Sequence, residues 1–325
     1  MILVVIEHQH GALKDINFEL LTLAHKLARS RNEEVATVIL GSNPVSFIDA
    51  VTSFVNKIFV IEDSNLENFN NYLYINYLSK LITEQKPNLI LIGHTGQGID
   101  FAPYLASSLN LPIITDIFDA EFSDDKILAR RTMYGGKLNA KVLTSAIPAI
   151  LTVRQGSFEK NLSPITSQAH VERLTLTVDS CELEKSKFLG YTEAPSTGID
   201  ITKADVIVAV GRGIKEEKNL ALVEEFAQEI GGTLACTRPI IDAGWLPKDR
   251  QVGSSGKTVK PKLYIALGIS GAFQHISGMK SSELIIAVNK DPEAPIFSVA
   301  HYGVVADLFK VLPALAAKIK ELKKR

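Results

Sequence analysis

Between Asp242 and Asp307 the chain gathers three glycine-rich turns, the histidine His275 and a Lys-Asp-Pro turn, set between short apolar runs. The segments are Asp242-Ala-Gly-Trp-Leu-Pro, Gln251-Val252-Gly253-Ser254-Ser255-Gly256-Lys-Thr and Leu267-Gly-Ile-Ser270-Gly271-Ala272-Phe273-Gln274-His275. Glycine lets backbone N–H groups approach a ligand closely, and a strand-to-helix turn aims those donors at an anion. The turn at Gly268 is expected to open a helix from about Ser270, capped by that serine, with His275 about one turn in. Upstream, Gly211-Arg212-Gly213 follows an apolar run, but Glu216 stands where a dinucleotide fingerprint needs its third glycine. A guanidinium between two glycines at such a turn can still grip a pyrophosphate in bidentate fashion. Cys236-Thr237-Arg238-Pro places a second arginine just past a strand end. The run Gly253-Ser-Ser-Gly-Lys-Thr is not a P-loop: Gln251 replaces the first glycine, and Val-Lys-Pro and a strand follow where a helix is needed. No Ser-His-Asp, paired-carboxylate or His-Glu-x-x-His pattern accompanies these residues. The chemistry is that of holding a phosphate-bearing ligand, not of cutting a bond.

The elements that must carry these residues alternate. In the first half, Ile2–Ile6, Val35–Leu40, Lys57–Ile61 and Leu89–Ile92 read as strands, with helical periodicity over Ile16–Ala28 and Tyr72–Ile82. That alternation predicts a parallel α/β sheet. After Asp116 strands follow one another: Ile127–Met133, Ala140–Thr144, Ile150–Val153 and Val171–Val178. His94-Thr-Gly-Gln-Gly, after Leu89–Ile92, has the form of a second phosphate turn, here read as one that holds no ligand. Residues 182–203 show little periodicity and read as a linker. Beyond them, Asp205–Val210, Thr233–Cys236, Lys262–Leu267 and Leu284–Val288 read as strands, with helices over Glu216–Ile230 and Val304–Leu322. The second half is therefore expected to be a doubly wound domain.

At 325 residues, with 46% hydrophobic and 22% charged, the chain suits two globular domains. Lysine plus arginine number 35 against 36 aspartates and glutamates, so no global field recruits nucleic acid. The opening Met1-Ile-Leu-Val-Val-Ile lacks the basic start of an export signal, and no apolar run approaches the ~20 residues of a membrane span. Two cysteines, Cys181 and Cys236, are too few for a four-cysteine cluster or zinc knuckle and suit a reducing cytoplasm.

The composite of Asp242-Ala-Gly-Trp-Leu-Pro, Gln251-Val-Gly, Leu263-Tyr-Ile-Ala, Gly268-Ile-Ser-Gly-Ala-Phe-Gln-His, Asn289-Lys-Asp-Pro-Glu-Ala-Pro-Ile-Phe and Tyr302-Gly-Val-Val-Ala-Asp-Leu-Phe strongly resembles the α-subunit of electron transfer flavoproteins. The likeness is continuous from about Asp205 to Pro313 and looser over the first half, where Arg131-Thr-Met-Tyr-Gly-Gly carries it. It implies a parallel α/β nucleotide-hydrolase-like domain over residues 1–184, a linker or hinge over 185–203, and a doubly wound Rossmann-like FAD-binding domain over 204–325. Carried over by position, Arg212 lies near the FAD phosphates, and Thr237 stands beside Arg238, which lies over the isoalloxazine ring. Gln251, Val252, Gly253, Ser254, Ser255 and Gly256 form the loop at the flavin, with the Ser255 hydroxyl toward N5. Many relatives have Gln-Thr where this chain has Ser254-Ser255. Ser270, Gly271, Ala272, Phe273, Gln274 and His275 run along the pyrophosphate and ribityl, ending with His275 near N1 and O2. Asn289, Asp307 and Leu308 hold the adenosine end.

The resemblance further implies a heterodimer with an electron transfer flavoprotein β-subunit. That heterodimer takes single electrons from acyl-CoA or other flavin dehydrogenases and gives them to a quinone-linked oxidoreductase. Neither metal nor catalytic residue is expected. Two alternatives stay open at this point: an electron-bifurcating NADH-dependent complex with a second FAD on the β-subunit, and an NAD-using enzyme on a related fold.

Overall fold

A computed structural model of the chain describes all residues except 135–137, 161, 166–168, 178–184, 191–198 and 324–325. Gly135 and Gly136 of the Arg131 motif, Cys181 and residues 191–198 of the expected linker therefore lie outside the described residues. The chain divides into two compact units, Met1–Gly190 and Tyr191–Arg325.

The first unit runs β1 (Ile2–Val5), a small hairpin β2 (His8–Gln9) and β3 (Ala12–Leu13), α1 (Ile16–Arg31), β4 (Val35–Gly41), α2 (Val45–Val51), β5 (Lys57–Glu62), α3 (Asn71–Gln85), β6 (Leu89–Gly93) and α4 (Gly96–Ser108). Then follow β7 (Ile113–Ser123), β8 (Lys126–Met133), β9 (Leu138–Thr144), β10 (Ala149–Val153) and β11 (His170–Leu174). Among the described residues these build one sheet in the order β11-β5-β4-β1-β6-β10-β7-β8-β9. Pairing is parallel from β11 to β7 and antiparallel through β7, β8 and β9. Strand side chains alternate faces, and both faces are covered. Ile2 and Val4 enter one core with Leu20, Leu23 and Leu27 of α1, while Leu3 and Val5 enter the other with Leu78 and Leu81 of α3. This two-sided burial is why β1, β4 and β6 are apolar at almost every position.

Two carboxylates in this unit, Glu19 buried and Glu7 half-buried, are held by different partners. Glu19 on α1 accepts three backbone N–H groups, from Gly156 (3.0 Å), Ser157 (2.9 Å) and Phe158 (3.2 Å), and so holds the turn after β10. Among the described residues, the Glu7 carboxyl, just past β1, accepts from the Thr95 hydroxyl alone, at 2.6 Å. Burial pushes the Glu7 carboxyl above the usual range, against the pull of Thr95 and Lys14. A folded pKa above the unfolded one means that stability is fully present below the unfolded value and lost as pH rises through the folded value. Glu7→Gln keeps an acceptor for Thr95 and cannot ionise. It should unfold no earlier than wild type at pH 7 and converge with it near about pH 4, as thermal unfolding across that range will measure. Glu19→Gln should cost about 2 kcal/mol, because an amide offers its donors to three N–H groups.

The second unit runs β12 (Val206–Val210), α5 (Leu220–Glu229), β13 (Thr233–Cys236), α6 (Arg238–Asp242), β14 (Leu263–Leu267), α7 (Phe273–Ile276), β15 (Leu284–Asn289), β16 (Tyr302–Val305) and α8 (Leu308–Lys323). Its described strands form an all-parallel sheet in the order β13-β12-β14-β15-β16. Val208 and Val210 pack beneath α5 and α8, and Ile207 and Ala209 pack on the opposite face with Val252 and Ile269. Before β12, Ile201–Lys203 forms a single 3₁₀ turn capped by the Asp200 carboxylate.

Three local expectations are corrected. The last helix, expected from Val304, starts only at Leu308; Tyr302–Val305 is instead an edge strand paired with Ile286–Asn289, and all four positions are exposed. The helix expected from Ser270 shortens to Phe273–Ile276, because Ile296 N donates to the Ser270 carbonyl at 3.1 Å and pulls the chain aside. Ala272, not Ser270, stands at its N-cap, and no side chain caps it. After Gly211 the chain makes 3₁₀ turns at Arg212–Ile214 and Glu217–Asn219, so α5 starts only at Leu220.

Candidate functional site

In the order 2-1-3-4-5, the first and third strands are the neighbours from which connections leave in opposite directions, and ligands bind beyond their carboxyl ends. Here those strands are β12 and β14. Their following turns, at Gly211–Ile214 and Gly268–Ala272, lie backbone against backbone. Gly211 N donates to Leu267 O and Gly213 N to Gly268 O, each at 3.0 Å. Gly268 has φ +59°, and a Cβ there would stand 2.7 Å from Gly213 Cα. The glycines are thus needed to let two turns touch, and the Gly213 N–H is spent inside the protein rather than on an anion.

Beyond the turns lies a cavity of about 580 Å³. Arg212, Thr237, Arg238, Gln251, Val252, Gly253, Ser254, Ser255, Ser270, Ala272, Gln274, His275 and Asn289 all line it, brought from five separate stretches of sequence. Gly256, Gly271 and Phe273 stand outside its walls. Gly256 closes the loop instead: a Cβ there would meet Gln251 O at 2.3 Å.

The loop after Gln251 is held from both ends. Val252 N donates to Cys236 O (2.9 Å), Ser254 N to Gln274 O (2.7 Å) and Lys257 N to Gln251 O (2.8 Å). Gly253, at φ +140°, passes so near Gln274 that a Cβ would lie 2.6 Å from its carbonyl oxygen. Gln251 Nε2 donates to Ser255 Oγ at 2.7 Å. That bond uses the oxygen of Ser255 and leaves its hydroxyl proton to be given to a ligand acceptor.

His275 differs from expectation. Its ring is buried, with Nδ1 3.1 Å from the Val252 carbonyl and Nε2 3.0 Å from the Tyr264 hydroxyl. Burial pushes its pKa down to about 4, opposed weakly by the Val252 bond. The imidazole is therefore neutral at ordinary pH, and both its nitrogens are engaged by the protein. Positive charge at this end of the cavity comes from Arg238, which heads α6 and pairs loosely with Asp242 at 3.5 Å. Cys236 beneath it is a buried thiol pushed up to about 12, chiefly by desolvation, and is inert.

A second cavity of about 410 Å³ shares Arg212, Gly213, Gly268 and Asn289 with the first and reaches Asp307 and Leu308. Asn289 is a brace here: its Nδ2 donates to Ile269 O at 2.9 Å and its Oδ1 accepts Asp291 N at 3.0 Å. Asp307 spends one oxygen on Phe309 N at 3.0 Å, at the start of α8. Lys215 and Lys290 also line this end and were missed in the sequence. Each stands within three residues of a flagged position, in Arg212-Gly-Ile-Lys215 and Asn289-Lys290. The joined cleft therefore has hydroxyls and Arg238 at one end, Arg212 at the centre, and two lysines with a carboxylate at the other. Such a donor set fits a long ligand with a ring system at one end, a diphosphate in the middle and a sugar at the far end. An FAD molecule has that layout.

In the first unit, just past His94, Gly96 and Gln97 border a cavity of about 420 Å³ together with Phe69, Ile99 and Asp100. The Thr95 hydroxyl caps α4 by accepting Gly98 N at 3.1 Å and itself donates to the Glu7 carboxyl at 2.6 Å. His94 Nδ1 is bonded to the Thr152 hydroxyl at 2.9 Å, and burial lowers its pKa.

Comparison with known proteins gives two family matches. Residues 2–179 match the electron transfer flavoprotein domain, and residues 200–280 the electron transfer flavoprotein FAD-binding domain. Among similar proteins, the lactate dehydrogenase (NAD(+),ferredoxin) subunit LctC of Acetobacterium woodii is 39% identical over 98% of this chain and 77% of its own length. Electron transfer flavoprotein α-subunits of Syntrophomonas wolfei and Methylophilus methylotrophus are each 38% identical, over 98% of both chains.

Proposed function

The chain belongs to the electron transfer flavoprotein family as an α-subunit, and from that premise we propose that its switch-point cleft holds the FAD through which single electrons pass. One observation carries the site assignment: Arg212, at the turn after β12, lines both cavities of the cleft. FAD supplies the one-electron chemistry, which no side chain here provides. The protein's part is binding, orientation and charge. Arg212 faces the diphosphate, Ser255 gives its hydroxyl proton to the ring edge, and the loop 252–255 excludes water from one face. Arg238 lies over the ring system and stabilises negative charge there more than the neutral state. A differential interaction of about 1.4 kcal/mol moves a one-electron potential by roughly 60 mV. Arg238 is mostly solvent-exposed, so screening reduces that. Arg238→Ala should lower the flavin's one-electron potential by some tens of millivolts in potentiometric titration, and an unchanged potential would remove Arg238 from the ring.

The partner chain is a β-subunit. For its contact we propose the end of the β8–β9 ribbon, where Met133, Tyr134 and Leu138 are large, apolar and exposed. Leu138→Glu should loosen the heterodimer in size-exclusion chromatography at micromolar concentration, while the unfolding temperature stays within about 2 °C of wild type. The proposed donors are acyl-CoA or other flavin dehydrogenases, as in fatty acid β-oxidation, and the proposed acceptor is a quinone-linked oxidoreductase. The proposed location is the cytoplasm; no described helix is long and apolar enough to cross a membrane. The proposed division is a platform over 1–184, a hinge over 185–203 and the FAD domain over 204–325.

A second reading is favoured by one relative: the Acetobacterium protein is named as a subunit of an NAD- and ferredoxin-dependent dehydrogenase. In that reading the heterodimer bifurcates electrons from NADH. Steady NADH oxidation by the heterodimer with ferredoxin and a second acceptor supports it, and NADH inertness supports the plain carrier.

A further inference from the structure

Tyr264 is the second residue of β14, fully buried, with its hydroxyl 3.0 Å from His275 Nε2. A phenylalanine would fill the same volume without the cost of burying a polar group. The hydroxyl therefore calls for a role, and its partner supplies one. The Val252 carbonyl, 3.1 Å from Nδ1, can only accept, so the neutral ring carries its hydrogen on Nδ1. The Nε2 lone pair then receives the Tyr264 O–H. With the other tautomer, two lone pairs would face each other across the Val252 bond and that bond would be lost. Val252 begins the loop whose Gly253, Ser254 and Ser255 wall the cavity. A line of two hydrogen bonds thus runs from the core of the sheet, through an imidazole, to the ligand loop.

We propose that Tyr264 is a positioning residue: by donating to Nε2 it fixes His275 as the Nδ1–H tautomer, and that tautomer holds the Val252–Ser255 loop where the ligand meets it. Tyr264 itself lies outside the cavity walls and acts only through His275. The functional consequence rests on the reading of the cleft as the FAD site; the tautomer assignment does not.

The test uses the FAD-loaded heterodimer with isotope-labelled imidazole nitrogens. The wild-type His275 ring should give a protonated Nδ1 and an unprotonated Nε2 in long-range nitrogen–proton correlation spectra. A protonated Nε2 with a bare Nδ1 would overturn the proposal. In Tyr264→Phe the Nε2 signal should move and the FAD dissociation constant should rise about fivefold to tenfold, the loss of roughly one hydrogen bond. An unchanged ring spectrum with unchanged affinity would also overturn it. If Tyr264→Phe fails to fold, His275→Asn and His275→Gln decide. The asparagine amide reaches the place of Nδ1 and the glutamine amide that of Nε2, so Asn should retain FAD at least about fivefold better than Gln. Equal retention, or better retention by Gln, contradicts the proposal. A wild-type heterodimer without flavin would defeat the cofactor reading while leaving the tautomer result to stand or fall alone.

Discussion

Gly268→Ala should lower the unfolding temperature of the FAD-loaded heterodimer by roughly 10 °C and strip most of its flavin. The residue sits at φ +59°, and its new Cβ would stand 2.7 Å from Gly213 Cα and 3.0 Å from Leu308 Cδ2. Backbone cannot swing aside as a long side chain can, so the two switch-point turns must separate. A left-handed conformation forced on alanine and an overpacked contact together cost about 3 kcal/mol. Both turns line the cleft, so the same displacement spoils the site. Gly231→Ala is the control. It too has positive φ, +70°, but nothing lies within 4 Å of its Cβ position. It should cost only about 1 kcal/mol and leave flavin content unchanged. Calorimetry with flavin absorbance on both variants separates the clash from the strain. Equal losses in the two would mean that the turn-to-turn contact is unimportant.

Arg212→Ala should raise the FAD dissociation constant about 30-fold, with little change in unfolding temperature when flavin is absent. The guanidinium is exposed, heads a 3₁₀ turn and borders both cavities, so its removal leaves the fold intact and the diphosphate without its cation. A bidentate charge-assisted contact of this kind is worth about 2 kcal/mol. Arg212→Lys keeps the charge and loses the fork, and should recover only part of the affinity. The Ala variant should also depend less on salt, since one screened attraction has gone. Titration of the apo-heterodimer with FAD at two ionic strengths measures all three. A loss below threefold would move the diphosphate elsewhere in the cleft.

Much of this was legible in the residues. β12, β13 and β14 lie within one residue of their sequence-read limits because burial on both faces writes an unbroken apolar run, such as Val206–Val210. The turns at Gly211, Gly253 and Gly268 were visible for the same reason: each interrupts or ends such a run. Their physical purpose was not visible. That Gly213 and Gly268 touch each other depends on two strands becoming neighbours, and Gly213 and Gly268 are far apart in sequence. His275 was located, but its partners Tyr264 and Val252 come from β14 and from a loop, which no local pattern joins to it. The helix Gly96–Ser108 went unread because Gly96, Gly98 and Pro103 weaken its propensity, while the Thr95 cap and tertiary packing hold it. Of the strand Tyr302–Val305, the last two residues were absorbed into the following helix and the first two went unread. Its strand identity comes from pairing with β15, on an exposed edge that leaves no burial pattern.

The most direct measurement is the flavin content of the heterodimer purified with its β-subunit. Flavin released on denaturation should be identified by chromatography and counted against protein. A plain electron carrier holding FAD in the cleft of residues 204–325 should be yellow and release one FAD per heterodimer. Two FAD per heterodimer would contradict the plain carrier in favour of the bifurcating reading. A colourless heterodimer that neither releases nor takes up FAD would contradict the account as a whole.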